Sequence, residues 1–181
     1  MEIAAAAPPR AVPLTMDIEA AYRRFYKNVY NYISFRINNH HDAEELASLV
    51  FTKALAAWKS YNPAYSMEAW LISIAKNCIT DYFRLAHRRN NYVELDNVVH
   101  LAEAARGPEE VAVFNEDNRR LIAAMSKLSD TERQILSMKF ATDLKHSEIA
   151  AVLGISESLV GVMCHRSIKK LRKLLGEVDG Q

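Results

Sequence analysis

The sequence predicts an all-α protein of two small helical domains joined by an acidic connector. Gly and Pro number only five each among 181 residues, while half the chain is hydrophobic. No alternating run of Val, Ile or Thr is bounded by turn residues, so strands have little to build from. Apolar residues recur instead at spacings of three and four, the period of an amphipathic helix. The net charge of +1 hides an uneven distribution. Residues 76–89 carry Lys76, Arg84, Arg88 and Arg89 against one acid, Asp81, and residues 159–175 carry Arg166, Lys169, Lys170, Arg172 and Lys173 against none. Between them, residues 90–118 hold Glu94, Asp96, Glu103, Glu109, Glu110, Glu116 and Asp117 against Arg106 alone. Two basic islands flanking an acidic stretch suit a polyanion held at two points, with a middle segment that avoids it.

Taken in order, residues 1–15 read as a disordered tail, because Pro8 and Pro9 break a short Ala run. With no basic start before an apolar core the segment is not a secretory signal, and Met16 is an alternative start. The first domain is expected over 16–89, the connector over 90–108 and the second domain over 109–176. From Asp17 to about Ile37, the residues Ile18, Tyr22, Phe25, Val29 and Ile33 form one buried stripe. The motif DAEEL then puts Asp42, Glu44 and Glu45 in a first turn, where the helix dipole favours acids, and helix two runs to about Tyr61. Leu46, Val50, Ala54 and Ala57 lie on one line, with Phe51, Leu55 and Trp58 beside it. So wide an apolar arc calls for burial from two sides, leaving Glu45, Ser48, Leu49 and Thr52 outward.

The loop SYNPAYSME brings Pro63 and the aromatics Tyr61 and Tyr65. Helical period resumes at AWLISIAKNCITDYFRLAHRR, with Leu71, Ile74, Cys78, Tyr82 and Leu85 as the buried stripe. The other side presents Ser73, Asn77, Thr80, Arg84, His87 and Arg88. Complementing the dipole accounts for the cations near the C-terminus but leaves the Asn and Thr row unexplained. In the second domain Leu121, Met125 and Leu128 make an apolar line, and Ser129 or Asp130 caps the next helix. HSEIAAVLG follows as a short helix ending at Gly154, and SES caps a last helix reaching about Leu175.

A short helix, a Gly turn and a longer helix with a basic outer face make the signature of a helix-turn-helix. Ile149, Leu153 and Ile155 would pack its inside, and Val160, Cys164, Ile168, Leu171 and Leu175 form the buried stripe of the last helix. Its outward side carries Ser158, Leu159, Val162, His165, Arg166, Lys169 and Lys173, after Ser156 at the start. Such cations neutralise phosphates, which supplies affinity without reading sequence. Ser158, Leu159 and Val162 offer base edges few hydrogen bonds. Readout should therefore lean on thymine methyl groups and DNA shape.

AWLISIAKNCITDYFR matches the pattern A-W-L-x-x-I-A-x-N-x-x-x-D-x-x-R. With DAEELASLVFTKALAAW before it and the helix-turn-helix after it, the chain resembles the bacterial sigma-70 superfamily over about residues 17–175, and within it the compact extracytoplasmic-function group. The resemblance implies sigma region 2, an extended linker and sigma region 4. Its expected partners are core RNA polymerase, promoter DNA and an anti-sigma factor that clamps between the domains. Asp42, Glu45, Ser48, Leu49 and Thr52 correspond to the face that docks on the clamp helices of the polymerase's largest subunit. Tyr61, Tyr65, Lys76, Asn77, Thr80, Arg84 and Arg88 correspond to minus-ten contacts. Ser156, Ser158, Leu159, Val162, His165, Arg166, Lys169 and Lys173 correspond to minus-thirty-five contacts. Two departures stand out: members usually have Gln and an acid at Ser48 and Leu49, and cations at Gly161 and Met163.

Other classes have less to stand on. HHDAEE offers His40, His41, Glu44 and Glu45 at a helix start, but a metal site needs three or four converging ligands, and no H-x-x-E or E-x-x-H partner lies elsewhere. No nucleotide-hydrolysing motif is present, so no catalytic residue, metal or cofactor is expected. Cys78 and Cys164 suit a reducing cytoplasm and suggest neither a disulfide nor a zinc knuckle. No window approaches the roughly 18 uncharged apolar residues of a membrane span. A helix-turn-helix regulator that no longer engages polymerase, or a helical adaptor, are the remaining alternatives.

Overall fold

The computed structural model describes residues 17–37, 39–89, 120–121 and 123–176. The expected tail at 1–15, the connector at 90–108 and the helical start near Glu109 lie outside the described residues. The main helices are α1 (Ile18–Arg36), α2 (His40–Ala56), α3 (Met67–Arg89), α4 (Asp130–Ala141), α5 (His146–Leu153) and α6 (Glu157–Gly176). The described residues contain no strand.

Each start has a local cause. The Asp17 carboxylate accepts from the Ala20 N–H at 2.8 Å, and the Asn39 side chain accepts from Asp42 N–H at 3.2 Å. Ser129 caps α4 in a reciprocal box with Glu132, whose carboxylate accepts from the Ser129 N–H at 2.7 Å. These bonds satisfy amides that a helix leaves unpaired at its first turn. Helix α5 ends at Gly154, which takes φ 68° in the left-handed region that favours glycine. The Ser156 hydroxyl then accepts from the Leu159 N–H at 3.2 Å to open α6.

Helix α2 stops at Ala56, short of the expected Tyr61, and a 3-10 turn spans Trp58–Ser60. The aromatics explain the early stop: Trp58 packs edge-on against Trp70 of α3, with ring centres 6.0 Å apart. A continued α-helix could not also form the turn at Asn62, whose carbonyl accepts from the Tyr65 N–H across Pro63.

Helices α1 to α3 pack as a bundle around Phe25, Val29, Ile33, Val50, Leu71 and Cys78, all buried. Helices α4 to α6 build the second unit around Leu136, Met138, Ile149, Val160 and Cys164. The two are not separate cores. Tyr32 of α1, Ile79 of α3 and Ile135 of α4 belong to one continuous buried cluster. Periodicity alone gave α3 one buried stripe, but Ile72, Ala75 and Ile79 are buried as well, because the second unit covers another side. Of that stripe, Leu71 and Cys78 are buried, Ile74 and Tyr82 are half-buried, and Leu85 is exposed. Two further expectations change in the same way: Tyr22 of α1 is 43% exposed and Leu55 of α2 is 58% exposed.

Candidate nucleic-acid interface

In the loop before α3 the two tyrosines part company. Tyr61 sits half-buried against Trp70, centres 5.1 Å apart, and its hydroxyl donates to the Tyr65 carbonyl at 2.7 Å. Its ring is thus part of the aromatic wedge that fixes the loop. Tyr65 is 66% exposed at the tip, held from behind by that hydrogen bond. An exposed ring on a braced backbone is preorganised to stack on an unpaired base.

Along α3, Asn77 and Arg84 are exposed. Arg84 is partly neutralised by Asp81, one turn back at 3.0 Å. The Thr80 hydroxyl donates to the Lys76 carbonyl at 2.9 Å, leaving its oxygen as an acceptor. Lys76 points across to the second unit and donates to the Val152 carbonyl at 2.8 Å. The Arg88 side chain lies outside the described residues.

On α6 the inner face is Val160, Cys164 and Ser167, all buried, and it turns the opposite face wholly outward. Ser156, Ser158, Leu159, Val162, His165, Arg166, Lys169 and Lys173 are all exposed. Ser156 and Ser158 are turned to local bonding: the Ser156 hydroxyl caps the helix and lies 3.1 Å from that of Ser158. Lys170, beside this face, pairs with Glu132 at 3.3 Å and helps hold α6 to α4. The Glu132 carboxyl stays below its usual range, first through the Ser129 backbone hydrogen bond, against burial, with Lys170 adding to the effect.

The outer face of α2 is mixed. Ser48, Leu49 and Thr52 are exposed, and Glu45 is exposed beside His41 at 3.3 Å. Asp42 is instead tied inward, accepting from the Tyr82 hydroxyl at 2.5 Å; burial, then the bond to Asp42, pushes that phenol up to about 12. Periodicity missed the shallow, largely apolar groove next to this face, lined by Ile18, Tyr22, Phe51 and Leu55 with Glu19, Ser48 and Thr52. Tyr22 and Leu55 fit the helical period of a core stripe, and only their exposure among the described residues distinguishes them. His40 bonds to the Tyr30 hydroxyl at 2.8 Å and lies 3.6 Å from Glu44. Among the described residues, no three His, Cys, Asp or Glu side chains converge as metal ligands. No single described helix is long and apolar enough to cross a membrane.

The family model of Sigma-70 region 2 matches residues 21–89, and that of Sigma-70 region 4 matches residues 118–171. The chain belongs to the sigma-70 family. It is of the extracytoplasmic-function type. It is 27% identical over 155 residues to the ECF RNA polymerase sigma factor BldN of Streptomyces coelicolor, covering 85% of this chain but only 58% of BldN. It is 28% identical over 158 residues to the RNA polymerase sigma factor YlaC of Bacillus subtilis, covering 87% of this chain and 91% of YlaC. The fold is shared with the sigma factor RpoE, solved in complex with the anti-sigma factor NepR from Bartonella quintana, at a TM-score of 0.71 and 19% identity over 88% of this chain and 97% of that one. It is shared too with CnrH, solved with the cytosolic domain of CnrY, at 0.63 and 22% identity over 88% of both chains. Helices α1 to α3 therefore make up the region 2 match, and α4, α5 and most of α6 the region 4 match.

In this sigma-70 family member, Arg166 stands exposed on the outer face of α6. Arg166→Ala should weaken binding to every duplex and flatten the slope of log affinity against log salt by about one unit, the signature of one lost phosphate contact. A slope equal to wild type in a salt titration would take Arg166 out of the interface.

Proposed function

We propose that the chain is an alternative sigma factor that binds core RNA polymerase and directs it to specific promoters. It would act in the cytoplasm, as a binding protein without catalysis of its own. Its parts are a promoter-melting domain over 16–89, a linker over 90–108 and a minus-thirty-five domain over 109–176. The reading rests chiefly on one observation: two sigma-region matches in family order, each carrying an exposed face suited to nucleic acid.

Strand opening requires bases captured outside the stack, at a cost of a few kcal/mol for each base. A stacking contact worth roughly 1–3 kcal/mol offsets much of that. Tyr65 supplies the aromatic face, Asn77 and Thr80 supply hydrogen-bonding groups, and Arg84 with Arg88 tracks the strand backbone. Tyr61 braces the loop. On α6, Arg166, Lys169 and Lys173 hold phosphates while Leu159 and Val162 meet thymine methyl groups. Polymerase docks on Glu45, Ser48, Leu49 and Thr52 with the adjoining groove, and Asp42 supports that face from behind. Since the similar sigma factor RpoE was solved in complex with an anti-sigma factor, an anti-sigma factor is the expected third partner.

Run-off transcription with core polymerase on genomic fragments tests the proposal. Specific transcripts are expected; retained duplex binding without polymerase binding would identify a helix-turn-helix regulator instead. Tyr65→Ala should leave duplex binding intact yet impair open-complex formation. Unaltered permanganate reactivity of promoter thymines in that variant would exclude Tyr65 from melting.

A further inference from the structure

We propose that the crevice where α1, α3 and α4 meet is a binding site for a free nucleotide, a small molecule that carries a phosphate monoester and a planar base. The site goes beyond the sigma-factor reading, and of the residues assigned to promoter contacts it includes only Lys76 and Thr80.

The crevice measures about 320 Å³, at the lower end of the range for small-molecule sites, roughly 300–1,000 Å³. Its charged lining is Arg36, Lys76 and Arg133 with one carboxylate, Asp130. Three cations against one acid leave an excess of two positive charges, which matches a phosphate monoester at neutral pH, about −1.5 to −2. The carboxylate is already engaged. Asp130 accepts from Arg36 at 2.5 Å and from the Gln134 amide at 2.5 Å, and Arg133 lies 3.8 Å away. Lys76 gives one N–H to the Val152 carbonyl at 2.8 Å, and an ammonium group has others to offer.

Two donors on residues of this lining pair with no protein group. Tyr32 is 0% exposed and the Arg36 side chain 5% exposed, yet the Tyr32 hydroxyl and Arg36 Nε make no hydrogen bond within the protein. Buried donors are ordinarily paired, and leaving one unpaired is costly. Burial holds the Tyr32 phenol above its ordinary range, so it keeps its proton and can donate it to an anion. Arg36 Nε can only donate. With Lys76 they make three donors, and a phosphate group has three strong acceptor oxygens where a carboxylate has two. The rest of the lining suits an organic part: Ile79 is buried, and Phe83 is 44% exposed. A phosphate alone fills little of the volume, and the Phe83 ring offers a face on which a base can stack.

The test is calorimetric titration of the full chain with the four ribonucleoside 5′-monophosphates. At least one should bind with a micromolar Kd, and inorganic phosphate and the matching nucleoside should each bind about tenfold more weakly or worse. Tyr32→Phe removes a hydroxyl that bonds to nothing in the protein, so thermal unfolding of the ligand-free variant should show no loss of stability. Its affinity for the nucleotide should nevertheless fall about fivefold. Phe83→Ala should lower that affinity about tenfold, through the lost stacking face. Oligothymidylate distinguishes the free ligand from a DNA strand, which presents the same bases on singly charged diesters. Its binding should be indifferent to Tyr32→Phe. The proposal is overturned if all four nucleotides bind more weakly than about 1 mM, if phosphate alone binds as tightly as the best of them, or if Tyr32→Phe leaves nucleotide affinity unchanged. An equal loss of oligothymidylate binding in Tyr32→Phe would overturn it too, by making the crevice a strand site. The nucleotide titrations contain neither polymerase nor promoter, so their failure is distinct from a failure of run-off transcription.

Discussion

Leu55→Asp is expected to weaken core-polymerase binding by roughly 2–4 kcal/mol, about 30- to 1000-fold, while leaving the fold intact. Leu55 is 58% exposed on α2, so little core contact is lost on substitution. Its neighbours in the groove are Ile18, the exposed Tyr22 and the buried Phe51 beneath Tyr22, with the Glu19 carboxylate at the edge. Buried under a partner, a carboxylate there would have no opposite charge among these side chains, and desolvating it would oppose docking. Thr52→Ala on the same face serves as a contrast. The Thr52 hydroxyl already donates to the Ser48 carbonyl in its own helix, so its loss should change affinity by less than about 1 kcal/mol. Fluorescence anisotropy of labelled protein against core enzyme reads both, and equal affinities for wild type and Leu55→Asp would place the docking surface elsewhere.

Glu68→Ala is expected to lower stability by about 1–3 kcal/mol, whereas Glu68→Gln should cost almost nothing at neutral pH. The alanine strands the Asn28 amide and the Asp143 N–H, both of which bond to one Glu68 oxygen; glutamine keeps that acceptor and removes a buried charge. Burial raises the Glu68 carboxyl above its ordinary value of 4.5, against the lowering effect of the bonds from Asn28 and Asp143. The native state therefore holds its proton to a higher pH than the unfolded chain does. The sign follows: this group's contribution is fully present below about pH 4.5 and declines as pH rises through the native value. Denaturant melts of wild type and Glu68→Gln should accordingly diverge on acidification, with wild type gaining relative to the variant. Parallel curves across that range would show that Glu68 titrates as it does in the unfolded chain.

Legibility differed from residue to residue. Ser129, Gly154 and Ser156 do in the structure what their chemistry suggests, because capping and left-handed turns are decided within a few residues. Val160 and Cys164 fall inside α6 as their spacing requires. Tyr61 and Tyr65 could not be separated by pattern, since both are aromatic loop residues. Their division of labour depends on Trp70, which approaches from another helix. Leu55 and Tyr22 fit a core period equally well, and their exposure depends on which sides of α1 and α2 acquire neighbours. The connector at 90–108 lies outside the described residues, so its acidity bears on the sequence argument alone.

By itself, the sequence determined the helical class, the caps at Asp17 and Ser129, the helix-turn-helix and the exposed cations of α6, because each follows from short-range spacing and capping chemistry. Only the tertiary structure decided that Ile72, Ala75 and Ile79 are buried, that Lys76 reaches Val152, and that Arg36 pairs with Asp130 across 94 positions of chain. Those contacts join surfaces far apart in sequence. Each half alone is consistent with standing apart, and what joins them is shape and charge complementarity across the seam, which no local periodicity encodes.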